Sequence, residues 1–503
     1  MNLASAFAAS ANKHSEKIAL FWGEQEFSYA KLWEETVFVS DRLQSQFGVK
    51  PSARVGLWLK NCPEFVPAFF GILQAGAVVV PINNFLKPAE VNFILEDAGI
   101  DVLITDKELA AHFPVLSSAR TSLKLYEVQG LIGLKELNKR EERDEPEEDK
   151  LAVIIYTSGT TGRPKGAMLS HGNLLHNVES CRIVLQTVEA DRFAVPLPMF
   201  HSYMLTVGML LPLLVGGSIV LIKSLHPPRT ALQEIFQRKT TVLPAIPQFY
   251  RSMVSAPIQP PVPLRYCICG AAPLPAQVLK EFEEKFRIPL IEGYGLSEAS
   301  PVVTKNPLDG RRKAGSIGLP IPHVEVSVQD EGGKELGPNE IGEVCVRGGN
   351  VMLGYWNRPD ETAKTMRKDW LLTGDIGYRD ADGYYYITDR KKDMLLVNGI
   401  NVYPREIEEI LYQIPGVKEA AVIGRPDSRR GEQPVAFVAA IDGSVLEEKA
   451  IQRFVKERLA DYKVPRKVVV MEALPRNATG KILKTALRQI EACGNPQIPN
   501  SKV

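Results

Sequence analysis

The feature that most constrains this chain is a series of short apolar runs that do not alternate with polar residues. RVGLWL (54–59), AVVVPI (77–82), DVLIT (101–105), GSIVLI (217–222), TTVLPAI (240–246) and RYCICG (265–270) are all of this kind. A strand with one wet face alternates. A strand that is apolar at nearly every position is buried on both faces, as in a parallel sheet covered by helices. Helical patterns such as PEFVPAFFGILQAG (63–76) stand between the runs. This order predicts an α/β protein with parallel or mixed sheets. At 503 residues the chain exceeds what one hydrophobic core serves, so at least two domains are expected. From about Ile317 the turn signals DEGG, GPNE and DADG separate short strands, which predicts a β-rich subdomain. After Asp389 helix and strand patterns return in PREIEEILYQIP, EAAVIG and PVAFVAAI, predicting a small α+β domain at the C-terminal end. The charge run KREERDEPEEDK (139–150) reads as a solvated connection, and APIQPPVPL (256–264) as a loop.

Composition narrows the function classes. The formal net charge is +1, with no basic stripe, so nucleic acid is not an expected partner. The six cysteines form no CxxC pair and read as free thiols in a reducing compartment, consistent with a cytoplasmic location. The seven histidines show no zinc-ligand spacing. The N-terminal segment has no basic region before its apolar residues, and reads as a surface helix rather than a signal peptide. The 19 residues from Met204 to Ile222 carry no charge, but Pro212 and Gly216-Gly217 divide them into helix, turn and strand. No transmembrane span is expected. The sequence leaves open peripheral membrane contact and assembly as a homodimer.

The strongest chemical signal is LAVIIYTSGTTGRPKGAMLSH (151–171). An apolar strand runs into a loop of Thr157, Ser158, Gly159, Thr160, Thr161 and Gly162, then Lys165, then a helix beginning near Ser170. Glycines let backbone N–H groups approach a phosphate, hydroxyls add donors, and a lysine neutralises charge. A Walker loop would need Ser or Thr after the lysine, and Gly166 stands there.

YTSGTTGRPKG resembles the phosphate-binding signature of the adenylate-forming superfamily of acyl- and aryl-CoA synthetases, luciferases and peptide-synthetase adenylation domains. The superfamily's other motifs follow in order over essentially the whole chain. In EGYGLSEAS (292–300) the resemblance places Glu292, Gly293 and Tyr294 at ATP, with Tyr294 stacked on adenine. It places Ser297, where the family more often has threonine, at the α-phosphate, and Glu298 on Mg²⁺, a cation suited to hard oxygen ligands. In CICGAAPL (267–274), Gly270 and Ala271 resemble the strand end beside adenine. In WLLTGDIGY (370–378), Asp375 resembles the carboxylate that accepts from the ribose hydroxyls. In DRKKDMLLVNG (389–399), Arg390 resembles the ribose- and phosphate-contacting arginine, Lys392 the hinge, and Gly399 a glycine of the CoA tunnel. In LPRNATGKILK (474–484), Lys481 resembles the lysine that bridges carboxylate and α-phosphate. In LPMFHSYML (197–205), His201 matches the position between acyl pocket and CoA channel, and Tyr203 the acyl pocket itself.

The resemblance therefore implies an N-terminal AMP-binding domain over residues 1–391 and a mobile C-terminal domain over 392–503. It implies an acid–thiol ligase with ATP and CoA as co-substrates and Mg²⁺ as cofactor. Amino-acid-activating relatives place an aspartate beside the aromatic of the FHSYM stretch; none stands here. The resemblance is most specific to bacterial medium- or long-chain fatty acyl-CoA ligases. An aryl-CoA ligase for coumarate- or benzoate-like acids, and a non-catalytic acyl- or adenylate-binding relative, are the alternatives.

Overall fold

The computed structural model describes residues 1–128, 148–157, 164–225, 228–391, 393–427, 429–477 and 480–493. Each apolar run forms a strand that pairs in parallel with its neighbours. Arg54–Trp58 pairs in parallel with Val78–Pro81 on one side and Val102–Thr105 on the other. Ser218–Leu221, Val242–Ala245, Tyr266–Cys269 and Leu290–Gly295 likewise belong to one largely parallel sheet. The two sheets have nine and seven strands. Both press on a shared core that includes Phe7, Tyr29, Phe69, Phe70, Tyr203 and Met204.

Local chemistry sets the element ends. Ser170 caps the helix His171–Leu185, its Oγ accepting from the Asn173 N–H at 3.0 Å while the Asn173 side chain accepts from the Ser170 N–H at 2.9 Å. The uncharged segment after Tyr203 forms a π-helix, Met204–Leu210, then an α-helix, Leu211–Val215, and turns at Gly216 (φ 90°) into the strand Ser218–Leu221. It is a buried helix–turn–strand unit, and no described helix is long and apolar enough to cross a membrane. The N-terminal helix Leu3–Lys13 is more deeply seated than a surface helix: Leu3, Phe7 and Ala11 are buried, and Phe7 stacks on Phe70 at 4.1 Å between ring centroids.

A five-stranded antiparallel layer between Val324 and Arg390 forms the β-rich subdomain. Beyond it, Leu395–Val397, Ile400–Val402, Val417–Asp427, Gly431–Ala440 and Lys467–Met471 form a separate sheet flanked by the helices Pro404–Leu411, Glu448–Lys456 and Lys484–Cys493. Its two hydrophobic clusters draw only on residues from Leu395 onward. The C-terminal domain thus has a core of its own.

Candidate active site

A cavity of about 1320 Å³ opens between the two domains. Its N-terminal wall includes Ala271, Glu292, Tyr294, Asp375 and Arg390; Lys481 and Arg405 reach it from the C-terminal side. Residues more than two hundred positions apart, Ala271 and Lys481, therefore face one space.

The N-terminal wall is tied together by its own polar groups. The strand Leu290–Gly295 brings Tyr294 opposite Asp375 of the strand Trp370–Arg379. The Tyr294 hydroxyl donates to the Asp375 carboxylate, and the Arg390 Nε lies 3.1 Å from the other carboxylate oxygen. Burial, reinforced by the Asp375 charge, holds the Tyr294 phenol far above its ordinary value, so it remains a donor. Arg390 is held in its charged form chiefly by Asp375. Glu292 is buried, accepts from the Leu274 N–H at 2.9 Å and sits 3.9 Å from the Arg405 guanidinium. Burial pushes its carboxyl up to about 7 despite that arginine.

Lys481 arrives on a turn. The Asn477 side chain accepts from the Lys481 N–H at 2.8 Å, and the Gly480 N–H donates to the Asn477 carbonyl at 2.9 Å. Gly480 has φ 79°, and a Cβ there would stand 2.3 Å from Ile246 of the N-terminal domain. Only glycine permits both the turn and the close approach. The Lys481 charge is felt at His201: burial first, and Lys481 second, hold that imidazole down to about 4. His201 is therefore neutral at physiological pH.

A second cluster lies around Glu298. The Tyr355 hydroxyl donates to its Oε1 at 2.8 Å. The Ser297 and Ser202 hydroxyls meet at 3.0 Å, which joins the EGYGLSEAS segment to the His201 segment. Lys165 is ion-paired with Glu361 and lies 5.3 Å from the centre of the Tyr355 ring. That ammonium holds the Glu361 carboxyl down to about 2. Among the described residues no group of three or more His, Cys, Asp or Glu side chains could hold a resident metal. One carboxylate, Glu298, suits a cation that arrives with phosphates, which is how Mg²⁺ is commonly held.

The remaining expected residues are placed as follows. Thr157 ends the strand Leu151–Thr157 and pairs with Lys165. Ser158, Gly159, Thr160, Thr161, Gly162 and Lys392 lie outside the described residues. Ala271 (φ 64°) lines the cavity, but Gly270 does not: the Tyr203 ring covers it, 3.0 Å from where a Cβ would stand. Gly399 (φ 77°) is exposed in the turn between Leu395–Val397 and Ile400–Val402 and does not line the cavity. Four further residues, Tyr355, Glu361, Arg405 and Ser202, contact the site but carried no signal in the sequence reading. Of these, Glu361 lies in the helix Pro359–Thr365, whose proline-initiated start marks that segment in retrospect.

Comparison with known proteins agrees with this arrangement. Residues 7–356 match the AMP-binding enzyme family, and residues 406–481 match the AMP-binding enzyme C-terminal domain. The long-chain-fatty-acid–CoA ligase of Bacillus subtilis (strain 168) is 34% identical, over 97% of this chain and 94% of its own length. The feruloyl-CoA synthase of an Amycolatopsis species is 36% identical, over 93% of this chain and 94% of its own. Among solved structures, ATP-bound MatB from Rhodopseudomonas palustris is 32% identical and superposes with a TM-score of 0.90, covering 97% of this chain and 99% of its own. The apo form of the same protein superposes with a TM-score of 0.78. The chain belongs to the AMP-binding enzyme family, among its adenylate-forming acid–CoA ligases.

Proposed function

We propose that the cavity between the domains is where a carboxylic acid and ATP become an acyl-adenylate, and that the acyl group then passes to coenzyme A. The observation that carries this reading is the convergence of Lys481 with Tyr294, Asp375 and Arg390 on one space. A carboxylate is a poor acyl donor because oxide is a poor leaving group. When its oxygen attacks the α-phosphorus of ATP, the P–O bond to pyrophosphate breaks, and the acid acquires AMP as leaving group. No protein nucleophile is needed. The chain's task is to align the reactants and to neutralise charge.

In this reading Tyr294, Gly293, Glu292 and Ala271 border the adenine, and Asp375 with Arg390 holds the ribose. The hydroxyl loop 157–162 and Lys165 cradle the phosphates. Ser297 donates to the α-phosphate, and Lys481 bridges it to the acid. Glu298 holds Mg²⁺, which supplies charge neutralisation at the phosphates when bound. Residues 1–391 act as the AMP-binding domain and 392–503 as a lid turning about Lys392. That rotation withdraws Lys481 and brings Gly399 to the CoA tunnel. The CoA thiol then attacks the acyl carbonyl beside the neutral His201, and AMP departs. We place the enzyme in the cytoplasm.

For the acid we propose an extended acyl part of the medium- or long-chain fatty-acid class. Support comes from Tyr203 and the apolar Met204–Leu210 helix at the expected acyl side, since methionines adapt to flexible chains. The test is ATP–pyrophosphate exchange and CoA transfer with a chain-length series beside benzoate and coumarate. Each added methylene contributes up to about 0.8 kcal/mol, so kcat/KM rises with length until the site is full. A maximum at the aryl acids with a fall at each methylene overturns the fatty-acid reading and leaves the adenylate chemistry standing.

A further inference from the structure

The strand Leu290–Gly295 has two faces, and its side chains divide between them. Glu292 and Tyr294 face the partners described above, on the nucleotide side. The Gly293 backbone also borders the nucleotide cavity, but the position where its side chain would stand faces the other way, with the residues paired beside it. Cys269 pairs with Glu292, so Gly270 is next to Gly293; Gly293 in turn pairs with Lys305 of the antiparallel strand Val302–Lys305. The row therefore reads Gly270, Gly293, Lys305. Two positions without side chains let their neighbours pack closely on the backbone. Tyr203 bounds the row at one end, its ring against Gly270. The Lys305 stem bounds it at the other, its Cγ 3.6 Å from where a Cβ on Gly293 would stand.

Lys305 is 5% exposed, a rare state for a lysine without a partner. Its electrostatic neighbours are the thiols of Cys181 and Cys269. Burial pushes the Cys181 thiol up to about 12 and that of Cys269 well above its ordinary value, so both are neutral and neither is a counter-ion. No carboxylate forms an ion pair with Lys305 among the described residues, and it does not line the nucleotide cavity. An ammonium taken out of water without compensation is costly. Against a plain alkyl chain it would stay uncompensated.

We infer that Lys305 is a specificity-determining residue of the acyl site, and that the acid it selects carries a second carboxylate at its far end. The inference rests on the proposed reading in which Tyr203 borders the acyl group. The reacting carboxylate lies towards Lys481. The intervening chain passes beside the Tyr203 ring, and the second carboxylate pairs with the Lys305 ammonium.

The test is ATP–pyrophosphate exchange by the full chain with straight-chain monocarboxylates and α,ω-dicarboxylates matched in length, and with cinnamate beside 4-hydroxycinnamate. The expected result is a preference of at least about tenfold in kcat/KM for the dicarboxylate of the best-fitting pair, as for sites built to pair a polar substrate group. Lys305→Met, similar in length and apolar, removes that preference and raises kcat/KM for the monocarboxylates; Lys305→Arg retains it. Activity of Lys305→Met with monocarboxylates shows that the variant is folded. Wild-type dicarboxylates no better than their monocarboxylate partners overturn the inference without any variant. So does a preference that survives in Lys305→Met. A larger gain from the phenolic hydroxyl than from the second carboxylate reassigns the oxygen and overturns the dicarboxylate. Exchange with monocarboxylates alone leaves the ligase reading intact, whereas exchange with no acid at all sinks both.

Discussion

The two walls of the cavity are built on different principles. On the N-terminal side Tyr294, Asp375 and Arg390 satisfy one another before any nucleotide arrives. The groups proposed to meet ATP are thereby held in place by buried polar contacts, which is preorganisation. On the C-terminal side Lys481 rides on a single turn ordered by Asn477 and Gly480. That turn contacts the other domain through side chains that can part, with Gly480 against Ile246. Elsewhere the domains meet through Arg405 beside Glu292 and Arg251 donating to the carbonyls of Val417 and Lys418. In the proposed reading, the contrast means that nucleotide recognition is stored in the large domain, whereas the charge needed for one chemical step is delivered and withdrawn by the small one.

Apart from loss of Lys481 itself, breaking the movable side at its hinge has the largest expected effect. Lys392→Pro fixes φ and removes a donor where backbone angles must change. Thioester formation falls by about a hundredfold or more, while pyrophosphate exchange stays near wild type; normal overall transfer would show that the chain does not turn there. Next comes the fixed wall. Asp375→Ala deprives Arg390 and Tyr294 of their shared acceptor. At about 2 kcal/mol for hydrogen bonds to a charged group, the KM for ATP rises roughly thirtyfold with the KM for the acid little changed. Equal rises in both would mean that Asp375 supports the whole cavity rather than the nucleotide.

Smaller effects sharpen the contrast. Arg405→Ala loosens the closed arrangement by about 1 kcal/mol, so exchange drops about fivefold. Thioester formation from supplied acyl-AMP does not drop with it; a matching loss in both would assign Arg405 to folding. The smallest effect is on stability against pH. The folded His201 imidazole titrates at about 4, below the 6.5 of the unfolded chain. Between those values the unfolded state binds more protons, so this histidine lowers stability as pH falls from 6.5 towards 4. The contribution is at most about 1.4 kcal/mol per pH unit. Urea midpoints of wild type should therefore decline more steeply over that range than those of His201→Gln. Parallel declines would place His201 in contact with solvent.

Much of this was readable before any coordinates, for physical reasons. Strands buried on both faces betray themselves as unbroken apolar runs, and Ser170 with Asn173 announces a helix start. The motif residues Tyr294, Asp375, Arg390 and Lys481 were legible because each sits in a local string whose chemistry is distinctive. What was hidden depends on pairing between distant strings. Tyr355 reaches Glu298, Glu361 reaches Lys165, and Arg405 reaches Glu292, yet each is an ordinary residue in its own segment. Lys305 stands in no distinctive local string. Only the strand register sets it beside Gly293, in the row that the Tyr203 ring covers at Gly270. The π-helical winding of Met204–Leu210 was equally invisible, since a hydrophobic run does not state its pitch.

The central claim is that Lys481 serves adenylation and nothing else. It is tested most directly by measuring both half-reactions of Lys481→Ala: pyrophosphate exchange with ATP and acid, and thioester formation from supplied acyl-AMP and CoA. The account predicts that exchange falls by about a thousandfold, in line with removal of a charge placed at the transition state, while thioester formation stays within about threefold of wild type. Equal loss of both half-reactions in a folded variant would contradict it.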